Sequence, residues 1–74
     1  SYSIACNQLG SIALADNNQA LAAKYFNKAL DFFSQSGDMF NESKSRMGLY
    51  EALKQSNPRE ALTQLERAGV LKDS

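Results

Sequence analysis

A repeated pattern of small and large side chains is the feature that most constrains how this chain folds. The pattern has the form small-x-x-x-large-x-x-small, and its two copies lie 39 residues apart at all three positions. The first copy is Ala22, Phe26 and Ala29, and the second is Ala61, Leu65 and Ala68. Small residues two turns apart let two helices approach closely, and the large residue between them fills the gap. The pattern therefore predicts two equivalent helices in similar packing environments.

The spacing of apolar residues predicts four helices, over about residues 2–15, 18–34, 39–55 and 58–68. The clearest stripe is in the second, where apolar residues recur at three- and four-residue steps from Ala22 to Phe33. No stretch alternates with a period of two for long enough to be a strand. Because the connecting turns are short, consecutive helices should pack as antiparallel neighbours, which gives an all-α fold.

Turn and capping residues mark the helix ends. Gly37 suits the left-handed position after a helix, and Asp38 suits the N-cap of the next one. Asn57, Pro58 and Glu60 have the order expected of an N-cap, a first helical residue and the partner residue of a capping box. Residues 70–74 are either a tail or the lead-in to a further helix.

Composition argues against several functional classes. Eight basic and eight acidic residues give no cation surplus, so we expect no nucleic-acid partner. The longest apolar stretch is far short of the ~20 residues of a membrane helix, so we expect no membrane insertion by this segment. With no His, one cysteine (Cys6) and scattered carboxylates, we expect no enzyme activity, no metal and no cofactor. Cys6 itself is interpreted as a small buried hydrophobe. No residue pattern indicates a compartment.

The chain resembles the tetratricopeptide repeat family. In that family a Leu-Gly pair on the first helix of each repeat precedes the small-large-small pattern on the second. Leu9-Gly10 has the expected spacing from Ala22, whereas Met47-Gly48 lies one residue too far from Ala61. Either Leu49 takes the place of the glycine, or the third helix has one extra residue. The 39-residue period also exceeds the family's usual 34.

The resemblance implies a single domain over residues 1–74, part of a longer α-solenoid, with repeats over about 2–36 and 38–69. It also implies a non-catalytic scaffold that binds a protein or peptide, with self-association through exposed repeat ends as a further expectation. In such arrays the first helices line a concave groove. Carried over by position, that groove would contain Asn7, Ser11, Leu14, Ser45, Arg46 and Leu49. The alternative for Asn7, Ser11 and Arg46 is an ordinary solvated surface, and only Arg46 could contact a peptide carboxylate.

A second resemblance leads to an alternative function. Residues 33–38 and 71–74 look like segments of the repeat arrays that precede histidine kinase or diguanylate cyclase domains in bacterial signalling proteins. That resemblance implies a sensory module that binds a ligand or peptide and passes a signal to an attached domain.

Overall fold

The computed structural model describes residues 1–69, which form four helices joined by three short turns. The helices are α1 (Tyr2–Ala15), α2 (Gln19–Ser36), α3 (Met39–Leu53) and α4 (Pro58–Arg67). The predicted all-α class is confirmed, and no strand occurs in this range. Helix α2 ends two residues later than predicted and α3 two residues earlier. The prediction for residues 70–74 lies outside the described residues.

Short polar side chains begin the last three helices, and those of Asp38 and Asn57 were predicted to do so. Asn18, Asp38 and Asn57 each accept a hydrogen bond from the backbone N–H three residues ahead. Gly37 has φ = 79°, the left-handed conformation that ends α2 without a steric penalty. The reciprocal half of the predicted capping box is wrong. Instead of turning back to Asn57, Glu60 accepts a 2.6 Å hydrogen bond from the side chain of Gln64.

The ring of Phe26 lies at the centre of the main hydrophobic cluster. It is 2% exposed, and both Gly10 of α1 and Gly48 of α3 approach it more closely than a side chain would allow. Two glycines on different helices therefore make room for one aromatic ring. Phe33 is buried in a second cluster with Cys6 and Ala29, which confirms that the single cysteine is a core residue.

The 39-residue spacing holds for burial in the first helices as well. Three pairs of residues related by this spacing are buried in both helices: Cys6 with Ser45, Gly10 with Leu49, and Ala13 with Ala52. The counterparts of the buried Ser3 and Asn7, which are Glu42 and Arg46, are partly buried. The N-caps Asn18 and Asn57 are also 39 residues apart. At this spacing Leu49 is the counterpart on α3 of Gly10 on α1.

Helix α3 is the centre of the arrangement. It packs against α1, α2 and α4, whereas α4 packs against α3 alone among the described helices. This difference explains why Leu65 and Ala68 on α4 are only partly buried while their counterparts Phe26 and Ala29 on α2 are fully buried.

Candidate functional site

The six residues predicted to line a groove do not share one surface. Asn7, Ser45 and Leu49 are buried between helices, and Ser45 is fully inaccessible to solvent. A partner could not contact these three without displacing a helix. Ser11 is exposed and Leu14 is partly buried, and both lie beside an open cavity.

Asn7 and Ser45 make the one buried hydrogen bond between α1 and α3. The Ser45 hydroxyl lies 2.8 Å from Asn7 Oδ1 and 3.1 Å from the backbone oxygen of Asn41. Because a serine hydroxyl has a single proton, it donates to one of these acceptors at a time. The Asn7 amide nitrogen is buried and has no hydrogen-bond partner in residues 1–69. This pair therefore fixes the position of α1 on α3, at the cost of one unpaired amide group.

Arg46 links α3 to α4 through hydrogen bonds to other side chains of the same protein. Its guanidinium donates two hydrogen bonds to Glu42, at 3.0 and 2.8 Å, and one to Gln64 at 2.8 Å. Beside it, the Ser43 hydroxyl donates a 2.6 Å hydrogen bond to the backbone oxygen of Ala68. These bonds use three of the five guanidinium N–H groups, so Arg46 ties α3 to α4, and the predicted contact with a peptide carboxylate would depend on the remaining two.

An open cavity of about 370 Å³ lies where residues of all four helices meet at the surface. We call it the α3 groove, because α3 contributes most of its lining. The lining residues are Ser11, Leu14, Phe26, Lys44, Met47, Gly48, Tyr50, Glu51 and Leu65. Its apolar side chains come from every helix, and its two charged residues both belong to α3.

The two charged residues of the groove, Lys44 and Glu51, differ in their ion pairing. Glu51 forms a 2.9 Å ion pair with Lys54, and that hydrogen bond raises the pKa of the Lys54 ammonium. Lys54 also lies 5.6 Å from the Tyr50 ring centre. Lys44, in contrast, makes no ion pair within the described residues and lies 5.4 Å from the ring centre of Phe40. Lys44 is therefore a cation with no ion pair among residues 1–69, beside a mainly apolar groove.

Sequence reasoning missed Lys44, Met47, Tyr50 and Glu51 as groove residues. Applying the 39-residue spacing to Ser11 leads to Tyr50, so the signal was present in the internal repeat. The spacing of the two glycines, which is one residue shorter, leads instead to the buried Leu49. Because successive residues of a helix point about 100° apart, this one-residue difference selects α3 residues that face the core instead of the groove.

Other kinds of site are not found in the part of the chain that the structure describes. No group of three or more His, Cys, Asp or Glu residues could hold a metal ion there. No helix in that part is both long and apolar enough to cross a membrane.

Comparison of the chain with protein-family models found no match, and comparisons with curated proteins and with solved structures found none either.

Proposed function

We propose that the chain is a helical-repeat scaffold of the tetratricopeptide type that binds a protein segment or peptide in the α3 groove. The observation that carries the proposal is the groove itself, an open apolar cavity to which all four helices contribute. Matching burial of three residue pairs of α1 and α3 at a 39-residue spacing supports the repeat architecture. Apolar clefts with a few polar groups at their edge are the usual form of a binding site.

The groove suggests the chemistry of its ligand. Met47 is an exposed, flexible apolar side chain, and such residues adapt to the shape of a bound partner. Lys44 supplies a cation that is in no ion pair among residues 1–69, and it would favour a carboxylate on the ligand. The proposed ligand is therefore a peptide with an apolar anchor followed or preceded by an acidic residue.

Selection from a phage-displayed random-peptide library tests the proposal. Selected peptides should combine apolar and acidic residues, and their binding should be lost with Met47→Glu and weakened with Lys44→Glu. Lys28→Glu makes the same charge change at an exposed position of α2 and should leave binding unchanged. The proposal fails if no peptide is enriched, or if the groove variants and the control bind the selected peptides equally.

A small-ligand sensory module is the second candidate, because a volume of about 370 Å³ also falls within the range of small-molecule sites. A library of small molecules that raises the melting temperature, with no such effect of peptides, would favour this candidate.

A further inference from the structure

The outer face of α1 is apolar although it is open to solvent. The helix carries no charged residue over its whole length. Leu9 is nevertheless 41% exposed and Ile12 58% exposed. Surface helices usually carry charged side chains on the outer face, so this composition points to a surface that a further helix covers.

The internal repeat indicates what kind of surface fits there. The residue 39 positions after Leu9 is Gly48, and Gly48 lies directly against the Phe26 ring of α2. The Leu9 face of α1 therefore corresponds to the face of α3 that receives α2. A helix with the character of α2 would complete the α1 face in the same way.

Helix α4 presents such a face. Leu65 is the counterpart of Phe26, and Leu62 is the counterpart of Ala23, which packs against the core cluster that Phe26 and Leu49 share. Leu62 is 50% exposed, and α4 packs on α3 alone among the described helices. The corresponding face of α2 is unavailable, because α3 already covers it.

We propose that two copies of the chain associate head to tail, with α4 of one copy packed on α1 of the next. Leu62 and Leu65 would meet Leu9, as Phe26 meets Gly48 within one copy, and Ile12, whose counterpart Glu51 lines the same groove as Phe26. Within one copy the large Phe26 packs on the small Gly48. Between copies their counterparts, Leu65 and Leu9, are two leucines of intermediate size. The interface is heterologous, so it extends to further copies unless the rotation closes a ring. This inference rests on the internal repeat and not on peptide binding, and Leu65 belongs both to the proposed interface and to the lining of the α3 groove.

Two charge variants test the proposal, each of which blocks one face. Ile12→Lys disables the α1 face, and Leu62→Glu disables the α4 face. In sedimentation velocity runs at increasing concentration, the unmodified chain should shift from an 8.1 kDa monomer to larger species. Each variant alone should remain a monomer. An equimolar mixture of the two should form a complex of twice the monomer mass and no larger, because one intact α4 face meets one intact α1 face.

Phe32→Lys is the matched control. Phe32 is an exposed apolar residue on α2 that belongs to neither face, so this variant should associate like the unmodified chain. Circular dichroism verifies that each variant is helical, and Ile12→Gln with Leu62→Gln replace any charged variant that fails to fold.

Three results would overturn the proposal. The first is an unmodified chain that stays monomeric at every accessible concentration. The second is a Leu62→Glu variant that associates normally, which would indicate pairing of two α1 faces. The third is a mixture of the two variants in which no dimer forms.

Discussion

A Cβ atom placed on Gly48 would lie 2.4 Å from the Phe26 ring, and one placed on Gly10 would lie 2.7 Å from the same ring. The ring is thus held between glycines of two different helices. The same three ring atoms, Cδ1, Cε1 and Cζ, lie nearest to both glycines. This contact sets how closely α1, α2 and α3 approach one another, and it determines where the α3 groove opens.

Gly48→Ala should destabilise the protein, although alanine is the better helix former. Alanine gains about 1 kcal/mol over glycine within a helix, whereas overpacking a filled core costs about 1–3 kcal/mol. We expect a net loss on the order of 1 kcal/mol in the free energy of unfolding, measured by urea denaturation.

A compensating change at Phe26 distinguishes this steric effect from others. The double variant Phe26→Leu/Gly48→Ala should lose less stability than the two single changes added together, because the smaller side chain makes room for the new methyl group. A Gly48→Ala protein as stable as the unmodified chain would show that the ring is free to move.

Ser45→Ala should destabilise the protein by about 1–3 kcal/mol, because it leaves the buried Asn7 side chain with no partner. A double-mutant cycle with Asn7→Ala, followed by urea denaturation, should give a favourable coupling energy of about 0.5–3 kcal/mol between the two residues. Ser34→Ala is the control, since the exposed Ser34 bonds only within its own helix. It should change stability by less than about 0.5 kcal/mol. Additive effects of the Asn7 and Ser45 changes would contradict the proposed tie between α1 and α3.

The N-cap Asp38 should make the stability of α3 sensitive to acid. A hydrogen bond from the Asn41 side chain, supported by one from the Asn41 backbone, lowers the pKa of Asp38 below its ordinary value of 3.8. Because the folded-state pKa is the lower one, the contribution to stability is fully present above pH 3.8 and is lost as the pH falls through the folded-state pKa.

Thermal melts of the unmodified chain and of Asp38→Asn at a series of pH values measure this contribution. Asparagine still caps the helix but does not titrate, so the advantage of the aspartate should shrink below pH 3.8. Asn41→Ala removes the side-chain donor and should move that loss to higher pH. If the melting temperatures of the unmodified chain and of Asp38→Asn differed by the same amount at all pH values, the lowered pKa of Asp38 would be contradicted.

Local signals made the helices predictable from the sequence. Asn18, Asp38 and Asn57 satisfy backbone groups only three residues away, and Gly37 adopts its conformation without help from the rest of the fold. Such interactions depend on neighbours in the chain and therefore leave a mark in the sequence. The partner of the Glu60 side chain was predicted incorrectly, because Gln64 on the same helix face competes with the N-cap.

The set of residues that line the α3 groove depends on the rotation of each helix about its own axis, which the sequence did not determine. A one-residue choice of alignment decided whether Leu49 or Tyr50 was the counterpart of Ser11, and the two side chains point about 100° apart on α3. The structure places Leu49 in the core and Tyr50 at the groove. Arg46 was similarly ambiguous, because its hydrogen bond to Gln64 depends on how α4 crosses α3.

The sequence by itself determined four helices, their caps and a 39-residue repeat of small and large residues, because each of these follows from periodicity or from contacts within a few residues. Only the tertiary structure decided that one ring, Phe26, fits between Gly10 and Gly48. The tertiary structure alone also decided which polar side chains form hydrogen bonds between helices and which apolar helix faces remain exposed. Those outcomes depend on the relative rotation and distance of packed helices, which are fixed by the fit of side chains far apart in the chain.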